Sequence, residues 1–253
     1  MGVTEALRVQ GASVPGSGEH PNEDAWGTSG DSAWVIDGAS QPDHQRTDPT
    51  AVARFVEDLN RALAVDEPLA LRDRLSRAIQ AIDFSQYPAA PDAPSATIAM
   101  ARVRNNLVEW LVLGDSGIVL SDDTVHRDLR LSSVGRTERE SVRHLRRGGA
   151  TIRELRRAQN QLASVERAAR NRPGGFWVVS DDPRAVDQAF VGTHQLGPEQ
   201  AVLLATDGFL DVVNPLQLAW GKNRSPEDLI RVARHSFDTN EKVDDATVVI
   251  VGG

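Results

Sequence analysis

The chain has 253 residues, enough for one substantial hydrophobic core, and its 40% hydrophobic and 25% charged content excludes wholesale disorder. It has no cysteine, which excludes disulfides, thiolate nucleophiles, cysteine zinc sites and iron–sulfur clusters. A net charge of −8 opposes a dedicated nucleic-acid binder. No apolar run approaches the roughly 20 residues of a membrane span, and the start lacks the basic-then-apolar build of a secretory signal. A cytoplasmic protein with neither a nucleic-acid nor a membrane partner is expected.

In chain order, residues 6–14 and 32–36 read as strands, separated by a loop rich in Pro, Gly and Ser. From Asp48 the pattern turns helical, with Pro49 suited to the first helical position and Val52, Phe55, Val56 and Leu59 recurring at helix spacing. A second helix is predicted over Leu69–Phe84. Thr97–Val103, Leu107–Leu113 and Gly117–Leu120 follow as β-rich runs split by short turns such as Asn105-Asn106. Residues 136–171 read as two helices broken at Gly148-Gly149. Strands return at Phe176–Val179 and Ala201–Ala205, Ser225-Pro226 opens a helix to about Phe237, and Ala246–Val251 forms a last strand. Strands grouped together with helices between them favour an α+β fold with antiparallel sheets over a strict βαβ alternation. With no repeat and no long linker, residues 1–253 read as one domain.

Acidic residues adjoin predicted strands at five places. They are Glu23-Asp24 in Asn-Glu-Asp-Ala-Trp, Asp37 ahead of Gly38, Asp115 in Leu-Gly-Asp-Ser-Gly, Asp207 in Ala-Thr-Asp-Gly, and Asp244-Asp245 before Ala-Thr-Val-Val. One Asp-Gly after a strand is usually a turn; five such placements in a small domain are harder to assign that way. Carboxylates about 4 Å apart repel by about 4 kcal/mol at an effective dielectric of about 20. If they converge, they must take up protons or bind cations, and oxygen donors suit Mg²⁺ or Mn²⁺. The reading from the residues is a two-metal hydrolytic site acting on a phosphoryl group with water as the nucleophile.

Asn-Glu-Asp-Ala, Val-Ile-Asp-Gly-Ala, Gly-Asp-Ser, Ala-Thr-Asp-Gly-Phe-Leu-Asp and Asp-Asp-Ala-Thr-Val-Val, in this order, resemble the motifs of the metal-dependent type 2C Ser/Thr protein phosphatases. The resemblance runs from about Leu7 to Val251. It implies a four-layer α-β-β-α sandwich, two antiparallel sheets flanked by helices. It further implies that Asp37, Asp207 and Asp244 are the catalytic acids of a Mn²⁺/Mg²⁺ centre of two, or with Asp115 three, ions. Asp37 would bridge two ions with the Gly38 carbonyl on one of them; Asp207 and Asp244 would hold one ion, and Glu23 and Asp24 would serve the other directly or through water.

The sequence departs from the family pattern in three places. Where the family usually carries a phosphate-gripping arginine, five residues before Asp24, this chain has Glu19. Ala39-Ser40 stands where some members have a histidine, and the closing Asp-Asn is Asp244-Asp245. His20 and His44 lie near the presumed ligand loops and could protonate a leaving group. The basic residues are concentrated elsewhere. Between Arg136 and Arg172 eleven arginines stand against four acids, about +7, leaving about −15 on the rest of the chain. This predicted helical hairpin, about 136–172, occupies the place of the family's variable flap. Because arginine forks phosphate in a bidentate way, Arg136, Arg139, Arg143, Arg146 and Arg147 are the candidate substrate-binding residues. The expected substrate is a phosphorylated protein, with a small phosphorylated metabolite as the competing choice. A weakly active or inactive phosphatase-like binding protein is the rival from another class.

Overall fold

The computed structural model describes residues 7–16, 21–39, 48–90, 92–213, 225–235 and 244–252. The strands are β1 (Arg8–Val14), β2 (Asp24–Ser29), β3 (Ser32–Gly38), β4 (Ala96–Arg104), β5 (Leu107–Leu113), β6 (Gly117–Val119), β7 (Val125–Arg127), β8 (Phe190–Gln195), β9 (Ala201–Ala205) and β10 (Ala246–Gly252). The helices are α1 (Ala51–Leu63), α2 (Leu71–Gln80), α3 (Arg130–Ser133), α4 (Arg136–Arg147), α5 (Ile152–Ala169), α6 (Asp207–Leu210) and α7 (Pro226–His235). Two five-stranded sheets form, one in the order β1-β10-β9-β6-β7 and the other β2-β3-β4-β5-β8. Every pairing is antiparallel.

Side chains alternate across a strand, and here both faces of each sheet are covered. On β3, Ala33 and Val35 meet Val202, Leu204, Val249 and Val251 of the other sheet, forming the core between the sheets. Trp34 and Ile36 point the opposite way, onto Phe55, Leu59, Leu75 and Ile79 of α1 and α2. On the far side, Leu203 and Ala205 of β9 pack against Leu229, Ile230 and Ala233 of α7. The layers therefore run helix, sheet, sheet, helix. Burial on both faces explains why these strands read as continuous apolar runs, and each large side chain so buried contributes about 1.5–3 kcal/mol. The fully buried Trp34 leaves no orphan donor, because its indole N–H donates to Asn60 Oδ1 at 2.8 Å.

Several boundaries differ from the sequence reading. α1 begins at Ala51 and not at Pro49, since Asp48 Oδ1 accepts the Thr50 N–H at 2.9 Å in a side-chain turn ahead of the helix. β2 lies in the stretch expected to be a loop, and β7 and β8 lie in stretches to which no element is assigned above. Asp-Ala-Trp-Gly-Thr-Ser in β2 carries Asp and Gly, which disfavour a strand, β7 is only three residues long, and both are held by their partners. Phe176–Val179 is not a strand: it makes isolated bridges, Phe176 to Arg170 and Val179 to Ala96. The two expected helices are α4 and α5. Glycine at 148 and 149 ends the first, and a Thr151–Glu154 capping box starts the second. Among the described residues no helix is long and apolar enough to cross a membrane.

Candidate metal centre

The acids converge because of how strands end and cross. Asp37 is the penultimate residue of β3, and Asp24, the first residue of β2, is its register partner in the same sheet. Asp115 lies in the short connection that carries the chain from β5 in one sheet to β6 in the other. Asp207 follows β9 and opens α6, and Asp244 precedes β10. Carboxylate oxygens of Asp37, Asp115 and Asp207 all lie within 4.8 Å of one another. Asp244 lines the same cavity.

Glycine makes this crowding possible at two positions. A Cβ on Gly38 would fall 2.5 Å from Val52 and 2.7 Å from the Glu23 carbonyl, which accepts the Gly38 N–H at 2.9 Å. One on Gly208 would fall 1.9 Å from the Asp245 carbonyl. Thus each Asp-Gly pair lets a neighbouring chain close against the aspartate's backbone. Hydroxyls and a carboxylate fasten the surroundings. Thr206 Oγ1 donates to Asp24 Oδ2 at 2.9 Å and accepts the Thr247 N–H at 2.9 Å, joining the two sheets. Asp245 accepts the Gly16 and Glu23 N–H groups, each at 2.7 Å, so it braces the chain leading to Glu23. This accounts for the second acid of Asp244-Asp245 as a bracing residue.

The electrostatics are those of a centre short of positive charge. Burial, then the charges of Asp207, Asp24, Asp115 and Asp244, push the Asp37 carboxyl well above the usual carboxylate range. Burial and the charges of Asp115, Asp244 and Asp211 do the same to Asp207. Burial raises Asp115 to about 6 against the pull of Arg127, and raises Asp24 to about 8 against hydrogen bonds from Thr247 and Thr206. Desolvated, oxygen-only donors that repel one another fit a hard divalent cation. Glu23 and Asp24 are buried beside Asp37, but neither belongs to the close oxygen trio.

A cavity of about 590 Å³ opens over the trio. Its floor includes Asp37, Gly38, Asp115, Asp207, Asp211 and Asp244, and its opposite wall is the hairpin. Of the five candidate arginines, Arg136, Arg139 and Arg143 line it, whereas Arg146 and Arg147 do not, since they fall in the last turn of α4. Arg139 is committed to Glu166 at 2.7 Å and to the Leu131 carbonyl at 3.0 Å, locking α4 onto α5. Arg127, Arg167, Arg170 and Asp211 also line the cavity and are not among the candidate residues named from the sequence. Asp211 had a signal, standing one helical turn after Asp207, and it pairs with Arg127 at 2.7 Å. Arg127 had none, because the strand carrying it is three residues long. Glu19, Ser40, His20 and His44 lie outside the described residues.

Comparison with curated proteins gave no match. Among solved structures, the chain is similar to the serine/threonine phosphatase Stp1 from Staphylococcus aureus, at 19% identity over 100% of this chain and 97% of that one, with a TM-score of 0.61. It is also similar to the photosystem II phosphatase PBCP (14% identity, 98% and 99% covered, TM-score 0.64). A third similar structure is the catalytic domain of the phosphatase PstP in complex with two manganese ions (16% identity, 97% and 97% covered, TM-score 0.56). These likenesses agree on the two-sheet sandwich. The family model for protein phosphatase 2C matches residues 11–246, nearly the whole length over which the strand-end acids are distributed. The chain therefore belongs to the protein phosphatase 2C family, the metal-dependent phosphatases.

Proposed function

We propose that this protein removes phosphate from phosphoserine and phosphothreonine in protein substrates, using Mn²⁺ or Mg²⁺, and that residues 1–253 form one catalytic domain with the 136–172 hairpin as its flap. The observation that carries the reading is the oxygen trio of Asp37, Asp115 and Asp207 facing an arginine-bearing wall across one cavity. When bound, divalent ions supply a water acidified toward neutrality and neutralise charge on a phosphoryl group. Asp37, Asp207 and Asp244 are the acids we assign to catalysis through such ions. Gly38, Glu23 and Asp24 would complete the set that holds two ions, and Asp115 would serve a third. The residues of the chain do the rest. Buried Thr206 and half-buried Asp245 hold the acids and the chain beside them in place, and arginines on the hairpin receive the negatively charged substrate. We place this activity in the cytoplasm.

Hydrolysis of p-nitrophenyl phosphate with Mn²⁺, with Mg²⁺ and with chelator tests this reading. Turnover should require a divalent ion and fall at least about 100-fold in Asp37→Asn. Wild-type turnover that persists in chelator, or in Asp37→Asn, would refute it. A phosphopeptide panel run beside a panel of phosphorylated metabolites then identifies the substrate class.

A further inference from the structure

Six arginines line the cavity, and they are not equivalent. Arg127 is paired with Asp211, Arg139 with Glu166 and Arg167 with Asp92. Arg136 and Arg143 stand exposed on α4. Arg170 differs from all of these. It is half-buried, and its hydrogen bonds go to neutral acceptors, the Ala93 carbonyl and Ser95 Oγ, both at 3.2 Å and both from Nη1. Among the described residues no carboxylate bonds to it. Glu166, Asp181 and Asp92 contribute only at a distance, and burial lowers its pKa, so the cation is held where it is poorly solvated.

Its position is fixed. Arg170 follows the last residue of α5, where a parallel bridge ties it to Phe176 and the Asn171 N–H donates to the Phe176 carbonyl at 2.8 Å. Asn171, in the left-handed region at φ 51°, also bonds Ser180 Oγ and the Val178 N–H, each at 2.8 Å. Ser95 in turn accepts the Ala39 N–H through its carbonyl at 2.9 Å, which links the arginine's anchor to the Asp37-Gly38-Ala39 segment. With Nη1 engaged, the remaining edge of the guanidinium is the Nε/Nη2 fork. Elsewhere in this protein the same edge grips carboxylates: Arg130 takes Asp128, and Arg184 takes Asp182, through Nε and Nη2.

We infer that Arg170 grips the phosphoryl group of the substrate, its Nε and Nη2 N–H groups donating to two non-bridging phosphoryl oxygens while Nη1 stays on Ala93 and Ser95. The inference rests on the phosphatase reading above and adds the residue that orients its substrate. A side-on fork matches two oxygens of a tetrahedral anion, and a preset backbone spares the ordering cost that exposed flap arginines carry.

The test uses the full chain with Arg170→Gln and Arg170→Lys. KM for p-nitrophenyl phosphate, the inhibition constant of inorganic phosphate, calorimetric binding of phosphate to Mn²⁺-loaded protein, Mn²⁺ binding and melting temperature are measured for each. In Arg170→Gln we expect KM and both phosphate constants to rise roughly 10- to 100-fold, with Mn²⁺ affinity unchanged. Arg170→Lys keeps the charge but not the fork, and should recover only part of the loss. Phosphate constants within twofold of wild type in a folded Gln variant would overturn the inference. Should that variant not fold, phosphate constants within twofold in Arg170→Lys would overturn it equally. A wild type without turnover would fail the phosphatase reading alone, because calorimetric phosphate binding still decides the role of Arg170.

Discussion

Replacing Asp207 by Asn tests the metal centre through its electrostatics independently of turnover. Oxygens of Asp37, Asp115 and Asp207 lie within 4.8 Å of one another, and at that spacing each ionised pair repels by about 3.5 kcal/mol at an effective dielectric of about 20. Asp207→Asn removes two of the three repulsions, about 7 kcal/mol if all three acids were ionised. Protonation relieves part of this already. Burial and the charges of Asp115, Asp244 and Asp211 hold the Asp207 carboxyl well above its ordinary value of 3.8, so the metal-free protein carries only part of that repulsion. The imperfect fit of an amide in a site shaped for a carboxylate offsets more of the relief, and a net gain of about 2 kcal/mol, well under the full-ionisation figure, is expected. For a chain of this length that raises the metal-free melting temperature by about 5 °C. Manganese at 100 times its dissociation constant should stabilise the wild type by about 2.7 kcal/mol and the variant hardly at all. Thermal melts of both proteins in chelator and in Mn²⁺ therefore cross: the variant is the more stable without metal and the less stable with it. A variant that melts below wild type in chelator and gains as much from Mn²⁺ would refute the reasoning, because it would show that Asp207 neither repels its neighbours nor holds an ion.

Metal-free stability should also fall as pH rises from about 4 to 8. Asp24 at about 8 and Asp115 at about 6 both lie above the ordinary 3.8, so in this window the folded state binds more protons than the unfolded chain. Each such group then weakens folding by up to about 1.4 kcal/mol per pH unit until its folded pKa is passed. Denaturant titrations in chelator at several pH values check this, and stability that climbs across the window would contradict it. On the hairpin, Arg136→Ala and Arg143→Ala should each raise KM for phosphopeptides severalfold, while Arg146→Ala and Arg147→Ala leave it unchanged, since only the first two line the cavity. Equal effects at all four positions would show a general charge effect and not local contact.

The acid cluster was legible because each of its members sits in a local pattern that marks its place: a hydrophobic run, then Asp, then often Gly. Asp37, Asp115 and Asp207 could be found that way, and the helical hairpin from its broken periodicity and the glycines at 148 and 149. Arg170 could not. Nothing in Ala-Ala-Arg-Asn-Arg separates it from the arginines around it, and its distinction comes from acceptors 75 and 77 positions away in sequence. The role of Asp245 was hidden for the same reason, since it braces Gly16 and Glu23 more than 200 positions earlier.

Hydrophobic period, turn chemistry and the order of the acidic motifs determined by themselves the kind of fold and the hard-oxygen character of its centre, because these depend on neighbours along the chain. Which arginines face the acids, which are neutralised by an acid of their own, and that Phe176–Val179 leaves both sheets while Phe190–Gln195 joins one were decided only by the packed structure. Pairing and desolvation are set by whatever the fold brings within a few ångströms, and most of those partners are remote in sequence.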